Sequence, residues 1–162
     1  MEIIVSDTTS LVVLEELQSL GLLCSVFEKV IIPLVVLSEL EADSPQIKSK
    51  LLDTGCFEFV KLKPSEQLSS LKIMLDLGEA EAITLAIERK LPILIDERKG
   101  RAIAKQLNLT VTGFIGLLIL AVNKKSLNPE KAQEMLDQAI ANGFRLSNSL
   151  YKQASAAFRQ KR

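Results

Sequence analysis

Short runs of β-branched and other apolar residues recur along the chain at residues 3–5, 30–32, 57–60, 93–95 and 109–111, with segments of helical spacing between them. This alternation constrains the fold more than any other feature. A strand followed by a helix and then another strand pairs in parallel with its predecessor, and a parallel sheet must be covered on both faces. The spacing predicts helices over 8–20, 33–43, 66–76, 79–90, 97–107, 113–124, 129–141 and 147–160. Pro33 suits a first helical turn, and Asn128-Pro129 suits an N-cap followed by the first helical position. The Ser44-Pro45 region reads as a turn. No repeat, low-complexity segment or long linker divides the 162 residues, so one α/β domain spanning 1–162 is expected.

Composition limits the chemistry. The chain has 20 basic and 20 acidic side chains, so no global field holds it to a polyanion or an anionic membrane, and any nucleic-acid contact must be local. Histidine is absent, which removes Ser-His-Asp and Cys-His catalysis and His-containing zinc sites. Acid chemistry must therefore use carboxylates. Cys24 and Cys56 stand alone in apolar surroundings and read as buried reduced thiols of a cytoplasmic protein in preference to a disulfide or a metal site. The amino terminus lacks the basic start and long apolar region of an export signal. The apolar run over 111–122 is far shorter than the roughly 20 residues that span a bilayer, so no membrane association is expected.

Asp7 directly follows the first strand and Asp96 follows the fourth, at the edge where open α/β sheets bind ligands. If those strands are neighbours, backbones about 4.8 Å apart let both carboxylates reach the same divalent cations. The alternative is that each caps the helix after it. Glu79 falls with Ile83 and Ala86 on the apolar face of its helix, whereas Glu81 and Glu88 fall on the opposite, solvated side. An inward carboxylate is costly to bury unless it is paired, bonded or metal-bound. Helix 33–43 is apolar nearly all round, so the residues alone do not choose between Glu39 and Glu41, and Asp43 adds a third acid there. Arg98, Arg101 and Lys105 share one helix face beside the acidic edge and form a candidate phosphate-binding stripe, with a solvated face as the alternative.

Four segments in order resemble the PIN-domain family, and more closely its VapC-like branch of toxin–antitoxin ribonucleases, over nearly the whole chain. They are Val5-Ser6-Asp7-Thr8-Thr9-Ser10; Ile32-Pro33 through Ser38-Glu39-Leu40; Gly78-Glu79-Ala80-Glu81-Ala82 with Leu85-Ala86; and Leu94-Ile95-Asp96-Glu97-Arg98 with Val111-Thr112-Gly113-Phe114-Ile115-Gly116. The resemblance implies a three-layer α/β/α fold with a mostly parallel sheet of about five strands. It also implies catalytic, metal-holding Asp7, Glu39, Glu79 and Asp96 at the C-terminal strand edge. The third acid is Glu where many relatives have Asp, and Glu97 beside Asp96 is a second candidate ligand. Thr8 or Ser10 would add a hydroxyl contact to phosphate or to a metal-bound water. Oxygen ligands suit Mg2+ or Mn2+, and the implied reaction is RNA phosphodiester hydrolysis, as the toxin of a toxin–antitoxin pair.

Two other classes compete with this reading: a non-catalytic PIN-like interaction module, which metal binding would distinguish, and an aspartate-based phosphoryl-transfer protein. Asp7-Thr8-Thr9 lacks the second Asp of a DxD phosphatase loop. Helix 113–124 carries more apolar positions than one sheet-facing stripe requires, which predicts a homodimer contact or burial beneath 129–141 and 147–160. The resemblance favours the dimer and adds an antitoxin segment in a shared groove.

Overall fold

The computed structural model describes residues 2–160. Five strands, β1 (Ile3–Ser6), β2 (Lys29–Pro33), β3 (Phe57–Val60), β4 (Ile93–Leu94) and β5 (Val111–Thr112), form one sheet in the order β3-β2-β1-β4-β5. Every pairing is parallel. The helices are α1 (Thr8–Glu16), α2 (Leu22–Val26), α3 (Leu34–Asp43), α4 (Ile47–Thr54), α5 (Glu66–Met74), α6 (Leu77–Arg89), α7 (Arg98–Gln106), α8 (Phe114–Asn123), α9 (Pro129–Ala141) and α10 (Asn148–Arg159). The expected layered α/β/α architecture is thus present, with a fully parallel sheet.

Side-chain alternation along the strands divides the interior in two. Ile4, Val30, Ile32 and Leu94 join the core built with α1–α4 and α8–α10. Val5, Ile31, Ile93 and Ile95 face the other way into the core built with α5, α6 and α7. Central strands with both faces buried explain why the sequence shows continuous apolar runs there.

Chain order sets the position of the site. From β1 the chain steps outward through β2 to β3, then returns to lay β4 on the other side of β1. This reversal opens a crevice at the C-terminal strand ends. Asp7 follows β1 directly, and its amide donates to the Leu94 carbonyl of β4 at 3.0 Å.

Several boundaries differ from expectation. Helix α1 stops at Glu16 because Gln18 turns into the left-handed region (φ 54°), and α2 then buries Leu23 and Val26. Where only a turn was expected, α4 buries Ile47 and Leu51 one turn apart and ends on left-handed Gly55 (φ 88°). Strand β5 starts two residues late, since Asn108 is left-handed (φ 66°) and the Leu109 amide still bonds Ala104 of α7.

One further expectation loses its packing argument and another is corrected. Helix α8 buries Phe114, Leu117, Leu118 and Ala121, while Ile115, Ile119, Leu120 and Val122 pack half-buried on the same core. Packing against α2, α9 and α10 takes up much of the apolar excess from which a homodimer was inferred, which leaves the homodimer resting on the resemblance. Cys24 and Cys56 are joined in a disulfide across 32 residues, their Cα atoms 5.6 Å apart, rather than standing as separate reduced thiols. The backbone brings them together: the Cys56 carbonyl accepts from Val30 of β2, and α2 lies immediately before that strand. A cytoplasmic setting therefore loses the support drawn from reduced cysteines. Among the described residues no helix is long and apolar enough to cross a membrane.

Closing a loop of this length restricts the unfolded chain, which by the chain-entropy account stabilises the fold by roughly 4 kcal/mol. Urea unfolding with and without reductant should show a loss of about that size on reduction, and an unchanged midpoint would mean that the bridge contributes nothing.

Candidate active site at the β1–β4 crevice

The neighbouring strands β1 and β4 deliver Asp7 and Asp96 to the same crevice, each held differently from a helix cap. Asp7 occupies the N-cap position of α1, yet its side chain makes no capping hydrogen bond and is 2% exposed. Asp96 does not cap α7, the helix that follows it. Its carboxylate accepts from the Phe114 amide at the start of α8 (3.0 Å to Oδ1) and from the Ser10 hydroxyl of α1. The positive end of α8 thus steadies a negative charge.

Glu39 comes from α3, where the wheel left it equivalent to Glu41. The structure distinguishes them, because Thr8 Oγ1 donates to Glu39 Oε2 at 2.8 Å. Thr8 and Ser10 were expected on substrate phosphate or on a metal-bound water. In the structure each donates to a carboxylate, and Ser10 is fully buried.

Glu79 lies on the inward face of α6 as its spacing predicts, 6% exposed, and its Oε2 is buried with no hydrogen-bond partner. Glu97 is exposed at the N-cap of α7 and makes no capping bond, with its charge acting on Glu79. Glu81 was expected to be solvated but is half-buried; burial pushes its carboxyl up, Lys72 opposes this, and Glu39 adds to it.

Asp76, which the helical spacing does not single out, belongs to the same cluster. It caps α6 by accepting from the Glu79 amide at 2.8 Å, and its carboxyl helps to push the Glu79 carboxyl up. An available signal was the Asp-x-x-Glu spacing of a capping box just before an apolar helix. Starting the helix at residue 79 concealed it.

Electrostatics bind these groups into one cluster. Burial raises the Asp7 carboxyl to about 7; the Thr8 amide opposes the rise, and the charges of Asp76, Glu39 and Asp96 reinforce it. Burial, the neighbouring Asp76 carboxyl and the charges of Asp7 and Glu97 raise Glu79 to about 8. The ion pairs among the described residues are Lys29–Glu58, Lys50–Glu15 and Lys131–Glu134, so none neutralises the cluster.

Glycines make room for three of the carboxylates. A β-carbon at Gly78 would collide with the Glu39 carboxylate, and one at Gly100 would stand 2.8 Å from Glu79 Oε2. One at Gly113 would collide with the Asp96 carboxylate. Of the predicted cationic stripe, Arg98 and Lys105 are exposed, while Arg101 is half-buried and donates through Nη1 to the Ile95 carbonyl at 2.9 Å.

Among the described residues no three acids already converge as a ready-made metal site. The donors nevertheless fit a hard divalent cation in kind: they are all carboxylate oxygens, one of them buried and unpartnered.

Fold and site define an α/β domain with an acidic crevice at the switch point of a parallel sheet. The chain belongs to the PIN domain family, whose model, described as DUF3368: PIN domain, matches residues 3–160. A solved structure of a PilT N-terminus domain protein from the hyperthermophilic archaeon Sulfolobus solfataricus is similar at 18% identity and a TM-score of 0.46, covering 91% of this chain and 100% of its own. Comparison with curated proteins finds no match.

Two predictions follow from the cluster. Because the folded pKa values of Asp7 and Glu79 lie above the ordinary carboxylate range, the folded state holds protons that the unfolded chain releases. Stability is then highest below about pH 4 as far as these groups are concerned, and falls as pH rises toward 7–8. In chelator, Asp7→Asn should flatten this decline and raise stability at pH 8 by about 1–3 kcal/mol in thermal melts. A parallel decline in the variant would contradict it. Gly78→Ala places a methyl group against a carboxylate at the end of a flexible side chain, so thermal melts should show a stability change of less than about 1 kcal/mol, and a larger loss would mean that Glu39 cannot turn aside.

Proposed function

We propose that the protein is a nuclease that uses a divalent cation, Mg2+ or Mn2+, to hydrolyse RNA phosphodiester bonds. The observation that carries this reading is Glu79 Oε2, a buried and unpartnered carboxylate oxygen beside buried Asp7, with no compensating ion pair among the described residues. Burying like charges without compensation costs stability. A cation would turn that repulsion into attraction. PIN domains are usually nucleases, which supports the same direction.

In this reading Asp7, Glu39, Glu79 and Asp96 hold the ion, with exposed Glu97 as a further ligand. When bound, a divalent cation makes a water more acidic and offsets the charge that builds on phosphoryl oxygens. The chain's own residues supply the placement. Thr8 orients Glu39, while Ser10 and the Phe114 amide hold Asp96. Asp76 accepts from the Glu79 amide and fixes the helix start that carries it. Pre-positioned ligands avoid reorganisation at the moment of reaction.

The toxin role and its antitoxin rest on the resemblance to VapC-like proteins, as does a homodimer. RNA as the substrate is supported by the same resemblance and by the arginines beside the crevice.

Cleavage of single-stranded and hairpin RNA should appear with Mn2+ or Mg2+ and vanish in chelator. Asp7→Asn and Glu79→Gln should each lower it at least about 100-fold, whereas Glu88→Gln, on the exposed side of α6, should leave it within about twofold. Cation binding without any cleavage of RNA would sink the nuclease reading and favour an interaction module.

A further inference from the structure

Beside the acidic crevice lies a groove of about 1240 Å³, running from Asp96 and Glu97 along α1 to the connection between α9 and α10. We infer that this groove carries an unpaired nucleic-acid strand away from the scissile phosphate, with Arg145 as the phosphate contact on its far wall. The inference rests on the nuclease reading for the position of the scissile phosphate.

The near wall carries Arg98 and Arg101, already singled out by their helical spacing; Lys105 of the same stripe does not line the groove. The far wall is the 142–147 connection, which carries no motif of its own. It is a firm mount. Gly143 turns in the left-handed region (φ 112°), and the Phe144 amide bonds the Ala139 carbonyl at 2.9 Å. The Phe144 ring meets Phe114 edge-on, with centroids 5.3 Å apart. Ser147 then caps α10 by accepting from the Leu150 amide at 3.1 Å. With Phe144 and Leu146 tucked half-buried against the core, Arg145 between them remains exposed along the groove.

Charge and shape specify the occupant. Arg98, Arg101 and Arg145 line one groove, and none takes part in an ion pair among the described residues; Glu16, Asp96 and Glu97 line it as well, so the cations act as local contacts and not through a net field. Guanidinium groups recognise phosphate oxygens in a bidentate manner. Between the cations Val12 and Val13 of α1, Leu146 and the half-exposed Leu150 form an apolar strip, edged by Thr9, Asn142 and Ser147. A duplex presents phosphates outward and keeps its bases paired, so it has no use for an apolar floor. An unpaired strand offers both phosphates and base faces. The groove follows α1 from Thr9 to Glu16, about 10 Å at 1.5 Å per residue, enough for a short stretch beside the cut.

The test measures binding in chelator, where cleavage plays no part. A fluorescein-labelled RNA of randomised sequence, about a dozen nucleotides long, and a duplex of the same length are titrated with the full chain over a series of salt concentrations. Arg145→Gln should weaken single-strand binding about 3- to 10-fold and lower the salt slope by about 0.7, the share of one phosphate contact on a single strand. Arg98→Gln with Arg145→Gln should lower the slope by about twice that, while Lys48→Gln on α4, outside the groove, should change neither quantity. Arg145 is exposed, so unchanged melting of the variant confirms that folding is not at issue. Equal affinity for duplex, a wild-type protein that does not bind the single strand, or an Arg145→Gln variant that behaves like Lys48→Gln overturns the proposal. Binding that depends on Arg145 in a protein that never cuts RNA would uphold the groove and remove the nuclease reading. RNA cutting and binding that ignore Arg145 would do the reverse.

Discussion

The structure is organised around carboxylates withdrawn from water that no cation among the described residues pairs with. Asp7 and Glu79 are almost wholly buried, each raised above its ordinary pKa first by burial and then by acidic neighbours. Such an arrangement opposes folding. Only a rigid surround can hold it, and the features nearest the crevice act as that surround. Hydroxyls from α1 hold Glu39 and Asp96, the start of α8 supplies an amide, and Asp76 restrains the first turn of α6. Gly78, Gly100 and Gly113 leave the space that the carboxylates occupy.

Those restraints come from segments far apart in the chain, and the sheet is what joins them. Laying β4 beside β1 brings residues 7 and 96 into one crevice, with α1 and α7 leaving from its two sides. The two cores on opposite faces keep the strands in register, because a slip of one residue would exchange Ile4 with Val5 between them. The C-terminal helices cover α8, and their connection forms the far wall of the groove beside the site. Much of the apolar excess of α8 that resembled an interface from sequence therefore serves the packing that places Arg145.

Much of the fold was legible because its signals are local. Strand runs, helix spacing, Asp after a strand and Glu79 on an apolar face all depend on residues within one or two turns of each other. The short α2 and α4 escaped notice because each buries only two residues, leaving little periodicity to read, although Gly55 was an available stop signal for α4. Asp76 was hidden by a helix start placed two residues late, despite its capping-box spacing to Glu79.

By itself the sequence determined the alternation that forces a parallel sheet, the exclusion of histidine chemistry and the choice of oxygen donors. It also determined that acids follow two of the strands. Tertiary structure alone decided that these strands are neighbours, that Glu39 rather than Glu41 meets Thr8, and that Thr8 and Ser10 donate to carboxylates. It also decided that Cys24 reaches Cys56 and that Arg145 shares a groove with Arg98. The physical reason is common to all of these: each depends on distances between residues separated by tens of positions, set by strand order and helix packing, whereas periodicity and composition report only what neighbours along the chain can do.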